Sequence, residues 1–172
     1  MKLQALPEPA SELALELPEF LPYRLSVIAN RVSRAFAALY ETRFGLSIPD
    51  WRVVAVLGRQ AGLSADEVCR RTEMDKVTVS RALARLDERG LLRRATATQD
   101  RRRLVLDLTA RGRRVYAEIV PLARRYEQEL AAALSGRELR ALDRLLEKLA
   151  CRTLEMLADD EGGAGARLPT RA

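Results

Sequence analysis

Residues 75–109 restrict what this 172-residue chain can fold into more than any other segment. Asp75 stands before the run Lys76-Val77-Thr78-Val79-Ser80-Arg81-Ala82-Leu83-Ala84-Arg85-Leu86-Asp87-Glu88-Arg89, and Gly90 closes it. A carboxylate in front of a helical run accepts from the free amides of the first turn, and a glycine behind it takes the left-handed cap. The spacing predicts a helix with Val79, Leu83 and Leu86 on one face, at about 100° per residue. Two alternating segments follow, residues 91–95 and 103–108, and residues 96–102 form the tip of the hairpin they predict. Upstream, Ser64-Ala65-Asp66-Glu67 is a capping box that opens a short helix through Arg71. Only Thr72-Glu73-Met74 separates that helix from the next. Two helices joined by so short a turn form a helix-turn-helix, and the hairpin behind them adds a wing.

Long helices flank this unit. Leu25, Ile28, Val32, Ala35 and Leu39 repeat at three-four spacing and predict a helix over 21–44, ended by Gly45. Ser47-Ile48-Pro49-Asp50 is a second helix start, with Trp51, Val54 and Leu57 as its core face. Residues 61–63 make a tight connection that can form a minimal strand. Thr109 caps a helix reaching about residue 134, which Pro121 should kink. A third capping box, Ser135 with Glu138, starts a last helix to about residue 158. Its stripe is Leu139, Leu142, Leu146, Leu149, Thr153 and Met156. The class expected is mainly α with a small β-wing. Aromatic residues make up only 5% of the chain, and the Leu- and Ala-rich remainder favours helix over sheet. The winged unit has its own small core, so the seams of the terminal helices predict a symmetric dimer. The alternative is that they pack within one subunit.

The location of charge says more than its total. Residues 64–114 hold 14 Lys and Arg against 8 Asp and Glu, while the rest of the chain holds 16 of each. The formal net charge of +6 therefore belongs to the helix-turn-helix and wing, a dedicated basic face of the kind that binds nucleic acid. Other classes are disfavoured. With no histidine, neither a His-containing zinc site nor Ser-His-Asp or Cys-His catalysis is available. There is no glycine-rich phosphate loop either, so no enzyme, cofactor or metal is expected. Cys69 and Cys151 lie in separate helices and form no CxxC, which reads as reduced, packed thiols. No run approaches the roughly 18 apolar residues of a membrane span, and the acidic start has no basic n-region, so a cytoplasmic protein is expected.

With Val79, Leu83 and Leu86 inward, the opposite face of the second helix carries Val77, Arg81 and Ala84, flanked by Thr78, Ser80 and Arg85. Small apolar side chains beside an arginine suit a major groove, where they can touch a thymine methyl while Arg81 pairs with a guanine edge. Lys76, Thr78 and Ser80 lie near the helix N-terminus, where phosphate oxygens are bound. In the hairpin tip, the Asp100 carboxylate can hold and aim the guanidinium of Arg102, an arrangement that suits a narrow minor groove. Arg101 or Arg103 would then meet phosphates. The partner expected is double-stranded DNA.

At these residues the chain resembles the MarR family of bacterial regulators. The likeness is carried by Thr78-Val79-Ser80-Arg81, Leu86 and Glu88-Arg89-Gly90-Leu91-Leu92-Arg93-Arg94, then by Asp100-x-Arg102 and Leu108-Thr109-x-x-Gly112. It spans about residues 20–158. The resemblance implies an obligate homodimer of triangular outline, with terminal helices forming the interface and two winged lobes binding a pseudo-palindromic operator. Most members repress genes, often beside their own, and let go of DNA when a small molecule binds or a cysteine is oxidised. On this reading residues 1–18 are an extension and 19–158 a single domain. Within it the winged unit is 47–109, the dimerisation helices are 19–44 and 110–158, and 159–172 form a disordered tail.

The family's ligands, often phenolic or aromatic acids, bind where the dimerisation helices meet the winged lobe. Matching positions are Tyr23, Arg24, Asn30, Arg31 and Tyr40 on the first helix and Trp51 and Arg52 on the second. Arginine for a carboxylate beside Tyr or Trp for a ring is sound chemistry for an aromatic acid or its CoA thioester. Tyr40 and Trp51 could equally be plain core. Two rival readings remain at this point. One is an oxidation switch at Cys69, near Arg70 and Arg71. The other is a winged-helix protein-interaction module that never touches DNA.

Overall fold

The described helices begin where a side chain accepts from their first amides or, in one case, at a proline, which has no amide to satisfy. The computed structural model describes residues 15–96 and 104–162. Among them run α1 (Leu21–Phe44), α2 (Ile48–Arg59), α3 (Ala65–Thr72), α4 (Lys76–Glu88), β1 (Leu92–Thr96), β2 (Leu104–Leu108), α5 (Ala110–Ala131) and α6 (Gly136–Gly162). All three capping boxes form. Ser47 Oγ accepts from the Asp50 amide at 3.3 Å and the Asp50 carboxylate accepts from the Ser47 amide at 3.0 Å. Ser64 with Glu67, and Ser135 with Glu138, make the same reciprocal pairs. Asp75 accepts from the Thr78 amide at 2.8 Å, so helix α4 starts where its sequence says. Thr109 Oγ accepts from the Gly112 amide at 3.1 Å and donates to the Gly90 carbonyl at 2.7 Å, joining the start of α5 to the end of α4.

Some boundaries differ from expectation. Helix α6 continues past residue 158 to Gly162, because Asp159, Asp160 and Glu161 contain no breaker. Helix α5 ends at Ala131, and the amides of Ala133 and Leu134 bond three residues back as the chain tightens toward the Ser135 cap. It runs through Pro121 as one element. The hairpin is antiparallel, with Leu92 opposite Leu108, Arg93 opposite Asp107 and Thr96 opposite Leu104. The minimal strand expected at 61–63 is a single bridge: Leu63 pairs with Leu106, its carbonyl accepting at 2.8 Å.

The chain divides into two compact units after Arg124. In the first, α4 buries Val79, Ala82, Leu83 and Leu86 with Val53, Val54 and Leu57 of α2, Val68 of α3, Leu106 and Leu108 of β2, and Ile119 of α5. Trp51, expected on the core face of α2, is half-buried against this cluster. The α1 seam faces outward: Leu25, Ile28 and Leu39 are exposed, and only Ala37 and Tyr40 of α1 are buried. In the second unit, Leu142, Leu145, Leu146, Leu149, Leu154, Met156 and Leu157 of α6 are all exposed. No helix among the described residues is long and apolar enough to cross a membrane.

Gly112 sits where the first turn of α5 meets the chain entering β1. A Cβ there would lie 2.1 Å from the Leu91 carbonyl oxygen, a backbone atom that cannot swing away. Gly112→Ala should therefore cost about 1–3 kcal/mol, lowering the melting temperature by several degrees. At Gly136 a Cβ would meet only the end of Arg140, at 3.5 Å, so Gly136→Ala should hold or raise it. Thermal unfolding of the two variants followed by circular dichroism checks this contrast.

Candidate nucleic-acid interface

Since α4 turns Val79, Ala82, Leu83 and Leu86 inward, its other side is set by geometry. Val77 is 59% exposed, and Ser80, Arg81 and Ala84 are exposed beside it. Arg81 has no hydrogen-bond or ion-pair partner among the described residues, which leaves its five donors available. Lys76 is exposed and meets Asp66 of α3 at 3.3 Å, a weak surface pair. The half-buried Thr78 donates its hydroxyl to Asp75 at 2.6 Å and so orders the first turn.

Arg85 is placed differently from its neighbours. Its Nε and one Nη donate to the Asp50 carboxylate at 3.0 and 2.7 Å, and Asp50 is 3% exposed. The expected DNA-facing residue is thus a fork holding a buried acid, with part of one guanidinium face still open. Pattern reading set Arg85 on the flank of the groove face, and it could not foresee a partner 35 residues earlier. Asp50 was visible only as a capping residue.

The wing stem is organised by Asp107. It accepts from Arg93 across the hairpin at 2.8 Å and from Arg113 of α5 at 2.8 Å. Burial pushes its carboxyl up, but the Arg93 bond and the nearby Arg113 charge outweigh that, and the group is held below the usual carboxylate range. Arg94 of the same strand meets Asp87 at 3.4 Å, tying β1 to the end of α4. Neither Asp107 nor Arg113 was singled out from sequence, although opposite charges at facing strand positions are a signal once the register is known. The tip residues Asp100, Arg101, Arg102 and Arg103 lie outside the described residues.

The expected effector residues separate into two places. Tyr23, Arg24 and Arg31 line a shallow groove of about 290 Å³ on α1 with Pro18, Val27 and Ile28. Tyr40 and Trp51 instead join Phe36 and Tyr116 in an aromatic cluster. Its ring centroids are 5.0 Å apart for Phe36 and Tyr40, 5.7 Å for Tyr40 and Trp51, and 6.3 Å for the stacked Trp51 and Tyr116. Burial, then the Glu41 charge, raise the Tyr40 phenol to about 12, with Arg52 acting against them, so Tyr40 is a neutral donor at physiological pH. Asn30 and Arg52 are exposed and line neither the groove nor this cluster. Phe36 and Tyr116 were not anticipated. The clue is Gly58 in mid-helix: a Cβ there would lie 2.5 Å from the Tyr116 ring, so this glycine admits the ring. Of the two cysteines, Cys69 is half-buried and Cys151 exposed.

The Asp75 cap gives a pH-dependent prediction. Bonds from the Thr78 hydroxyl and amide hold its carboxyl below 3.8. A depressed carboxyl stabilises fully above its unfolded value and loses that contribution as pH falls through the lower folded value. Asp75→Ala should therefore melt below the wild type at pH 7, and the gap should close as pH falls below 3.8. Paired thermal melts across that range measure it.

Comparison with known proteins agrees with the winged helical fold. The MarR family profile matches residues 44–103. An HTH-type transcriptional repressor of Mycobacterium tuberculosis is 29% identical over 131 residues, which are 76% of this chain and 91% of the relative. A protein of Thauera aromatica named for regulation of the hcr operon is 30% identical over 116 residues, 67% of this chain and 70% of that one. Among solved structures, Bordetella bronchiseptica BpsR, whose DNA binding is regulated by 6-hydroxynicotinic acid, superposes with a TM-score of 0.70. It is 27% identical, over 80% of this chain and 97% of the other.

Proposed function

The chain belongs to the MarR family of transcriptional regulators, and from that premise we propose that it is a cytoplasmic homodimeric repressor. It binds a pseudo-palindromic operator in double-stranded DNA and leaves it when a small aromatic carboxylate, or the CoA thioester of one, is bound. The observation that carries the DNA reading is the outer face of α4: Arg81, without a partner among the described residues, between exposed Val77 and Ala84, beside a basic hairpin. That face offers one guanine-reading fork among small apolar contacts. Lys76, Thr78 and Ser80 supply phosphate contacts at the helix start, and Asp100, Arg101, Arg102 and Arg103 supply the wing contacts.

The dimer is supported by the exposed apolar seams of α1 and α6. Burying a leucine contributes about 1.5–3 kcal/mol, so two seams of this length favour a second copy strongly. Repression is supported by the mycobacterial relative, which carries that name. The effector class is supported by the arginine and tyrosine groove on α1, by the separate aromatic cluster of Tyr40 and Trp51, and by the aromatic acid that regulates BpsR.

The DNA reading is tested by salt titration of binding to a duplex selected by the protein from a random pool. With roughly 6–10 phosphate contacts per dimer, log affinity should fall against log salt with a slope of about −5 to −9. A flat response would sink it. Arg81→Ala should cost about 1–3 kcal/mol and relax base choice at one position of each half-site, with half-sites about 10–10.5 base pairs apart. For the effector, a panel of hydroxylated benzoates, nicotinates and their thioesters should release the bound duplex in gel-shift assays, with calorimetric binding to match. Absence of both across the panel would remove this class.

A further inference from the structure

We propose that Arg85 and Arg89 are positioning residues, which lock α4 to the elbow between α1 and α2 and so set the angle at which α4 is presented to DNA. The inference rests on the DNA-binding reading above. Residues four apart share one helix face, and both arginines point back at residues 44–50. Arg89 donates through Nη1 to the Gly45 carbonyl at 2.6 Å and through Nη2 to the Phe44 carbonyl. These carbonyls are at the C-terminal end of α1, where the helix leaves its last acceptors unsatisfied and the dipole favours a cation. Gly45, at φ +60°, makes the turn that presents them, and its own amide bonds back to the Glu41 carbonyl at 2.7 Å.

One turn earlier, Arg85 grips the start of α2. Asp50 accepts from the Ser47 amide and hydroxyl at 3.0 and 2.7 Å and from both prongs of Arg85. The carboxylate is therefore both the cap of α2 and the anchor of α4. Withdrawing Arg85 to reach a phosphate would strand a buried charge, which disfavours a role in DNA contact. The same end of α4 is held from the other side. The Arg89 carbonyl accepts from Arg111 of α5 at 3.1 Å, and Asp87 meets Arg94 of β1. The elbow, the wing and α5 thus converge on the last turn of α4, while its free face carries Arg81. Base readout demands sub-ångström placement of the reading side chain, which such a clamp supplies.

The clamp separates from direct contact by its salt signature. A phosphate contact, when lost, shallows the salt slope by about one per contact, whereas a positioning residue lowers affinity without changing it. The experiment uses the full chain and a duplex selected by wild type from a random pool. Asp50→Asn, Arg89→Gln and Arg89→Lys should each weaken binding by about tenfold or more at the wild-type slope. Asp50 is buried and cannot touch DNA itself, and Arg89→Lys keeps the charge but loses the two-carbonyl fork. Asp50→Asn combined with Arg85→Gln should bind no more weakly than the worse single variant. Circular dichroism at the assay temperature confirms the folded fraction, and if Asp50→Asn unfolds, Arg89→Lys and Arg85→Lys decide. Wild-type affinity in the Lys variants, or a slope reduced by one or more in Arg85→Gln or Arg89→Gln, would overturn the clamp. Failure of the wild type to select any duplex would overturn the DNA reading and the clamp together.

Discussion

Everything in the winged unit hangs on the burial of one face of α4. Val79, Ala82, Leu83 and Leu86 are packed so tightly that their accessibility falls to a few per cent. A helix of 13 residues has two sides, and committing one to the core leaves the other to solvent. That is why Val77, Arg81 and Ala84 share the exposed face that we propose reads DNA. The core fixes the rotation of α4 about its axis, and polar contacts at its two ends fix the remaining freedoms. Asp75 sets where the helix begins, and the arginines of its last turns bind it to the elbow, the wing and α5.

The basic residues consequently fall into two populations. Arg85, Arg89, Arg93, Arg94 and Arg113 are engaged with Asp50, main-chain carbonyls, Asp107 and Asp87. Arg81, like Arg70, Arg71 and Arg114, has no such partner among the described residues. Net charge draws the segment toward a polyanion, but most of its described arginines are engaged with the protein's own acids and carbonyls. A positive segment on a neutral chain thus combines a long-range field with internal acid–base joints, and the two functions cannot be told apart by counting charges.

How much was legible follows from distance along the chain. The capping boxes at Ser47, Ser64 and Ser135 involve partners three residues apart, so pattern and structure agree there. The inward face of α4 was equally plain, because helical periodicity is local. Arg85 shows where that kind of reasoning stops. Its partner lies 35 residues away, and Arg89 reaches carbonyls 44 and 45 residues away. The effector residues were harder still. Tyr23 and Arg31 line a groove on α1 while Tyr40 and Trp51 pack together elsewhere, since a helix of 24 residues carries its two ends far apart.

By itself, then, the sequence determined the order and starting points of the helices, the hairpin, the face α4 turns outward and the family likeness written on it. These are properties of neighbours within a few residues, where backbone geometry and capping chemistry leave little choice. Tertiary structure alone decided which arginines are free. It made Asp50 an anchor as well as a cap, brought Asp107 between two guanidinium groups, and laid Tyr116 over Gly58. Such pairings depend on which surfaces the core brings together, and long-range packing is not encoded in the spacing of any one segment.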